Sequence, residues 1–178
     1  MRNWKKIVAI LLVILFAYLY AHVSKPHEIY DRKLDSSEYI ELGVSRNPVE
    51  CQFVSKEDSL DALRVKCRIY VEEPEGITEM ELLDVKTGEV VASAVLQNDQ
   101  IQTGKFNEFS FEKVEGCKGK SYKVRLHSEE AGFFCQQDGT LILKTVTKMF
   151  DIETFGIVLL FAAYIAGFFR FLYKLFSR

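Results

Sequence analysis

An antiparallel β-sandwich held between two transmembrane α-helices is the fold class this sequence predicts, and three observations predict it. Apolar and polar residues alternate through the middle of the chain. Turn residues punctuate that middle segment at intervals of roughly 10–15 residues. One charge-free apolar stretch lies near each end, with basic residues outside both.

The apolar stretches frame the chain. The first is expected to span the membrane from Ile7 to Val23, the second over 151–173, leaving 1–6 and 174–178 as cytoplasmic tails. Both approach the roughly 20 residues that cross a bilayer core, with about 17 as the lower bound. Arg2, Lys5 and Lys6 precede the first; Arg170, Lys174 and Arg178 lie at or beyond the end of the second. The positive-inside rule then puts both termini in the cytoplasm and the middle outside the membrane. A cleaved signal peptide is the competing reading of the first stretch, but no small-x-small cleavage site follows it. Both stretches carry small residues four apart: Ala17 and Ala21 in the first, Ala162 with Ala166 and Ala163 with Gly167 in the second. Such faces let helix backbones approach in lipid, so the helices are expected to pack on each other or on a polytopic membrane protein.

Residues 24–36, with Pro26, read as a stalk or first strand, and 37–150 as the sandwich. Leu63, Val65, Cys67, Ile69 and Val71 alternate with Arg64, Lys66, Arg68 and Tyr70, the pattern of a half-buried strand. Phe109 and Phe111, then Tyr122, Val124 and Leu126, repeat it. Leu141–Val146 is apolar on nearly both faces and so is expected to be central. Shorter runs at Ile40–Val44, Val49–Val54, Met80–Val85 and Val90–Leu96 bring the set to roughly nine strands. Lys86-Thr87-Gly88 suits a tight hairpin. A segment of about 110 residues buries one core.

Composition narrows the partners. All 25 acids lie between Glu28 and Glu153, and six of the 23 bases lie at the two ends, Arg170 included, so the middle carries 17 bases, a net of −8. That balance argues against nucleic acid. Cys51, Cys67, Cys117 and Cys135 all fall in the middle segment, an even number that permits two disulfides in one of three pairings, or buried free thiols. The favoured pairing is Cys51 with Cys67 and Cys117 with Cys135. No cofactor motif and no metal-ligand spacing stands out, and no catalytic constellation is evident. The acidic run Glu72–Asp84 lacks the order of a calcium loop. A hydrolase would need His127 and two acids gathered into one pocket. Among the aromatics Phe106, Phe133, Phe134 and Tyr122 read first as core, whereas Tyr70 falls on the polar side of its strand and offers a ring face to a ligand.

Four segments carry a resemblance: Leu63-Arg-Val-Lys-Cys-Arg-Ile-Tyr70, Met80-Glu-Leu-Leu-Asp-Val-Lys-Thr-Gly88, Phe109-Ser-Phe111 and Gly119-Lys-Ser-Tyr-Lys-Val-Arg-Leu-His127. In that order they resemble the jelly-roll ectodomains attached to membrane proteins of bacterial surface-polysaccharide assembly. The resemblance implies a carbohydrate-binding-like sandwich, a non-catalytic role in the cell envelope, and glycan or an assembly machine as partner. A regulatory or assembly subunit, recognising its complex through the helices, is the alternative.

Overall fold

The structure is a computed structural model and describes residues Arg2–Phe176. The chain divides into two compact units. One is Lys25–Thr147; the other comprises the two ends, up to Ser24 and from Lys148.

In the unit formed by the chain ends, α1 covers Arg2–Tyr20 and α2 covers Ile152–Phe176. The start of α2 is set by Asp151, whose carboxylate accepts the N–H groups of Glu153 and Thr154 at 3.0 and 3.1 Å. This is an N-cap that satisfies donors the helix itself leaves unpaired. The two helices pack on each other. Ala17 and Ala21 are fully buried, and the Asp151 N–H donates to the Ala21 carbonyl at 2.9 Å. Phe150 stacks among Tyr18, His22 and Phe155, with centroids 5.4–5.6 Å away.

Helix α2 is long and apolar enough to cross a membrane, at about 37 Å for its 25 residues. The first stretch departs from expectation. Its helix ends at Tyr20 rather than Val23, and the apolar part, Ile7–Tyr20, is about 21 Å long, short of a full span. The stop is local. The His22 ring donates from Nδ1 to the Tyr18 carbonyl at 2.9 Å, closing one of the last open acceptors, and the chain turns extended. Strand β1, His22–Glu28, follows directly.

The other strands are β2 Ile40–Leu42, β3 Ser45–Val54, β4 Ser59–Ile69, β5 Ile77–Asp84, β6 Val90–Gln97, β7 Phe106–Glu115, β8 Ser121–Ser128, β9 Ala131–Cys135 and β10 Leu143–Phe150. They form two sheets, consistent with a β-sandwich. The larger is built on β4. One edge of β4 pairs β7; the other pairs β10 over Ala62–Val65 and β9 over Cys67–Ile69. Strand β1 lies beyond β10, and β2 beyond β9. The smaller sheet runs β3-β8-β5-β6. Segment 24–36 does not stand clear of this unit as a stalk: Ile29 packs on the core, and Gln136 exchanges two hydrogen bonds with the Asp31 backbone.

Alternation places the core as expected. Leu63, Val65, Cys67, Phe109, Phe133 and Leu143 face Phe53, Met80, Leu82, Tyr122, Val124 and Leu126. The Lys86-Thr87-Gly88 hairpin joins β5 to β6. Asp84 accepts the Lys86 N–H at 2.8 Å, and Gly88 takes φ 75°, where a side chain would be strained.

The expected disulfides are not formed. All four cysteines are free and buried. Cys51 and Cys67 sit in different sheets, on β3 and β4. Three of the thiols instead meet a nearby carbonyl: Cys51 that of Gln52 at 3.7 Å, Cys67 that of Val65 at 3.4 Å and Cys117 that of Val114 at 3.2 Å. They fill the core as small hydrophobes.

Candidate functional site

Strand parity turns the outer face of the larger sheet into a row of rings and charges. On β4 the outward positions are Arg64, Lys66 and Arg68, with Tyr70 just beyond. Register sets Lys144 and Glu108 beside Arg64, Phe106 beside Lys66, and Gly132 beside Arg68. Glu41 pairs with Phe134 on the next strand.

Tyr70 anchors one end of this row and is 45% exposed. It packs where Gly132 leaves room: a Cβ added at Gly132 would lie 2.7 Å from the ring's Cε2. One edge of the ring therefore lies close over Gly132, while nearly half of the residue stays exposed. The Tyr70 hydroxyl donates to Glu41, whose carboxylate also takes two bonds from Arg68 Nη1, at 2.7 and 3.0 Å. Partial burial of the hydroxyl, then its bond to the Glu41 carboxylate, pushes the Tyr70 pKa up to about 12. Glu41 is held below the usual carboxylate range by the same hydroxyl and by Arg68. The trio is thus a neutral phenol, an anion and a cation locked in one geometry.

The row continues with cations held by rings. Lys66 Nζ lies 4.9 Å from the Tyr39 ring centroid and 5.0 Å from that of Phe134. Lys144 Nζ lies 4.6 Å from Phe106 and 6.0 Å from Tyr30, and it pairs with Glu28 at 3.2 Å. Tyr30 stacks on Phe106 at 6.0 Å and meets Tyr39 edge-on at 6.1 Å. Contacts of a cation within about 6 Å of a ring are attractive by about 0.5–1 kcal/mol at exposed sites. The result is a platform of aromatic faces with fixed hydrogen-bonding groups between them.

Of the aromatics singled out from the sequence, Phe133 and Tyr122 are buried, whereas Phe106 and Phe134 join Tyr70 on the platform. Tyr30, Tyr39, Lys66 and Lys144 were not anticipated. The outward parity of Lys66 was legible from alternation in β4. The arrival of Tyr30, Tyr39 and Lys144 depends on strand pairing.

A second feature is a cleft of about 560 Å³ beside β5 and β8, lined by Gly76, Ile77, Glu79, Asn98, His127, Glu129 and Glu130. It does bring His127 together with acids, the arrangement a hydrolase would need. His127 Nδ1 is buried without a hydrogen-bond partner. Glu130, however, is committed: it accepts from the Asn98 amide at 2.8 Å and from the Gly76 N–H at 3.0 Å, which hold its carboxyl below the usual range. A carboxyl so held is a poor proton donor. No serine, threonine or cysteine lines the cleft to act as nucleophile. Among the described residues no group of three or more His, Cys, Asp or Glu is arranged to hold a metal ion.

The small residues of the helices part company. Ala17 and Ala21 are buried and Ala162 is half-buried, whereas Ala163, Ala166 and Gly167 are exposed. A Cβ at Gly167 would meet nothing within 4 Å.

No family model matches the chain, and no curated protein matches its sequence.

Proposed function

We propose that this chain is a non-catalytic, membrane-anchored protein of the cell envelope whose β-sandwich binds glycan on the outer face of its larger sheet. The observation that carries this reading is the platform around Tyr70. Sugar rings offer apolar C–H faces flanked by hydroxyls, and a partly exposed aromatic ring beside an oriented carboxylate and guanidinium suits both. The platform mixes acids with bases, so it fits a neutral or zwitterionic glycan better than a polyanion.

Anchoring follows from α2, whose length and composition suit a membrane span. In the two-pass arrangement we favour, both basic ends lie in the cytoplasm and the sandwich lies outside. The 21 Å of apolar α1 then requires local thinning of the bilayer. Tethering near the membrane raises the effective concentration of the sandwich at a surface glycan or at the machinery that assembles it.

The test uses the full chain in mild detergent against an array of envelope polysaccharides. Binding that falls tenfold or more in Tyr70→Ala, a loss of about 1.4 kcal/mol, supports the reading. Equal binding by Tyr70→Ala, or none to any envelope glycan, counts against it. Protease added to intact cells should cut between residues 25 and 147; protection of that region would refute the topology.

A second reading has its own observation. Ala163, Ala166 and Gly167 form an exposed small-residue stripe on α2, which suits the chain to be an assembly subunit of a polytopic membrane protein. It predicts co-purification of a partner, lost in Gly167→Leu, with a sandwich blind to glycan.

A further inference from the structure

An edge strand offers its unpaired backbone groups to any other strand that can reach them. Among the described residues, β1, β2 and β7 lie at edges of the larger sheet, and β3 and β6 at edges of the smaller. All but one are guarded. Strand β1 contains Lys25 and Pro26, and β2 is three residues long. Strand β3 contains Arg46 and Pro48 and is irregular between Ser45 and Val49. Strand β7 carries Glu108, Glu112, Lys113 and Glu115. Strand β6, Val-Val-Ala-Ser-Ala-Val-Leu-Gln, has no charge and no proline.

Register decides which backbone groups of β6 are free. The Asn98 N–H donates to the Gly76 carbonyl at 3.0 Å. Alternation then makes Thr78 with Leu96, Met80 with Ala94 and Leu82 with Ala92 the hydrogen-bonded pairs between β5 and β6. The N–H and C=O groups of Ser93, Val95 and Gln97 therefore point out of the sheet edge. The irregularity in this pairing falls between Leu82 and Leu83, opposite residues 90–92, and leaves the rest of β6 regular. Side chains follow the same parity. Ala92, Ala94 and Leu96 pack on the core, whereas Ser93, Val95 and Gln97 are exposed, Val95 at 58%. Strand β7 runs beside this edge without pairing with it, and a cleft of about 340 Å³ lies between residues 90–93 and 111–112.

We propose that β6 is a self-association edge, to which a second copy of this chain adds its own β6 antiparallel, about a two-fold axis at Val95. The three outward positions are symmetric about that residue. Val95 exchanges two hydrogen bonds with its copy, and Ser93 does the same with the partner's Gln97 at either end. Valine meets valine on the outer face, which takes the most exposed hydrophobe of the strand out of water. A two-fold contact needs a patch complementary to itself, and an uncharged edge with symmetric donors and acceptors provides one. Charge permits it. The nearest acids, Glu79 and Glu81, sit one strand in, on β5. Glu79 lies beside Val95, so three strand spacings hold the two copies of Glu79 about 14 Å apart, beyond the roughly 8 Å screening length of physiological salt. Pairing over residues 93–97 is small beside the roughly 1,600 Å² of a standard stable interface, so the contact is weak in free solution. The membrane anchoring proposed above raises the effective concentration of the two edges.

The experiment places single cysteines in the full chain in mild detergent and oxidises them with copper phenanthroline. All four native thiols are buried, so the unaltered chain is the blank. Opposed residues of a hydrogen-bonded pair have Cα atoms about 5.5 Å apart, within disulfide reach. Val95→Cys should therefore give a linked dimer on a non-reducing gel. Ser93→Cys mixed with Gln97→Cys should link one to the other, whereas Ser93→Cys alone, with its copies about 14 Å apart, should not link. Adding Ser93→Pro to Val95→Cys removes an outward N–H from each copy and no bond to β5. Its linking rate should fall about tenfold at an unchanged melting temperature. Ser93→Lys, which adds charge and leaves the backbone alone, should lower the rate as well. Linking by Ser93→Cys in place of Val95→Cys overturns the two-fold, and linking indifferent to both Ser93→Pro and Ser93→Lys overturns strand pairing. No link in any variant overturns self-association and leaves the edge to a strand from another protein.

Discussion

Substituting Gly132 by alanine tests the platform and the fold at once. The added Cβ would fall 2.2 Å from the Leu42 carbonyl oxygen and 2.7 Å from Tyr70 Cε2. The first obstacle is backbone and cannot step aside without opening β2 from β9, which pair only over Ile40–Leu42. Overpacking of this kind costs roughly 1–3 kcal/mol. Displacing the Tyr70 ring also breaks its bond to Glu41, worth about 1 kcal/mol more. The expected loss is therefore about 2–4 kcal/mol, or roughly 10 °C in the melting temperature of a domain of this size. Circular dichroism in the β region, recorded on the full chain in detergent, reads it. Gly43→Ala is the internal control: it lies next to the same segment, has nothing within 4 Å and needs no left-handed φ, so it should be neutral or slightly stabilising. Equal melting of Gly132→Ala and Gly43→Ala would refute the close packing of Tyr70 on Gly132, and with it the oriented ring on which glycan recognition depends.

Other outcomes follow from the same geometry. Asn98 is buried and links the Thr78 hydroxyl, at 2.7 Å, to Glu130; Asn98→Ala should cost about 1–3 kcal/mol by removing one of the Thr78 hydroxyl's two partners and the amide donor to Glu130, measured as a shifted denaturation midpoint. Acid should weaken the sandwich. Lys144 lowers Glu28, Tyr70 and Arg68 lower Glu41, Lys123 and Arg125 lower Glu50, and Asn98 and Gly76 lower Glu130. Folded values below the unfolded ones mean a contribution that is full above the unfolded value of about 4.3 and lost as pH falls through the folded values. The melting temperature should be flat near neutrality and drop below about pH 4; a rise on acidification would contradict these pairings. In the helices, Ala17→Leu should prevent α1 from packing on α2, because Ala17 has no exposed surface, and an interhelix cross-linking yield that stays unchanged would refute this contact.

The alternation of β4, with Leu63, Val65 and Cys67 against Arg64, Lys66 and Arg68, determined from sequence alone which face is core, because a period of two has only two solutions and one would expose three hydrophobes. The Lys86-Thr87-Gly88 hairpin was equally local, resting on a backbone angle only glycine adopts cheaply. The exposure of Tyr70 followed from that parity. Strand β9 escaped notice because Ala-Gly-Phe-Phe-Cys does not alternate; only its seat between β4 and β2 makes it a strand. The length of the first helix was misjudged because His22 and Val23 suit a helix end and a strand start equally well, and β10 as a neighbour selects the strand.

Local pattern therefore determined that this chain carries a β-sheet core and one long apolar helix. What tertiary structure decided was everything that requires two strands to meet: the Tyr30, Tyr39 and Lys144 members of the platform, the acids gathered around His127, and the separation of Cys51 and Cys67 into different sheets. Spacing along a chain constrains neighbours a few residues apart. Contacts across 40 to 110 residues depend on register and sheet order, which these residue patterns alone do not specify.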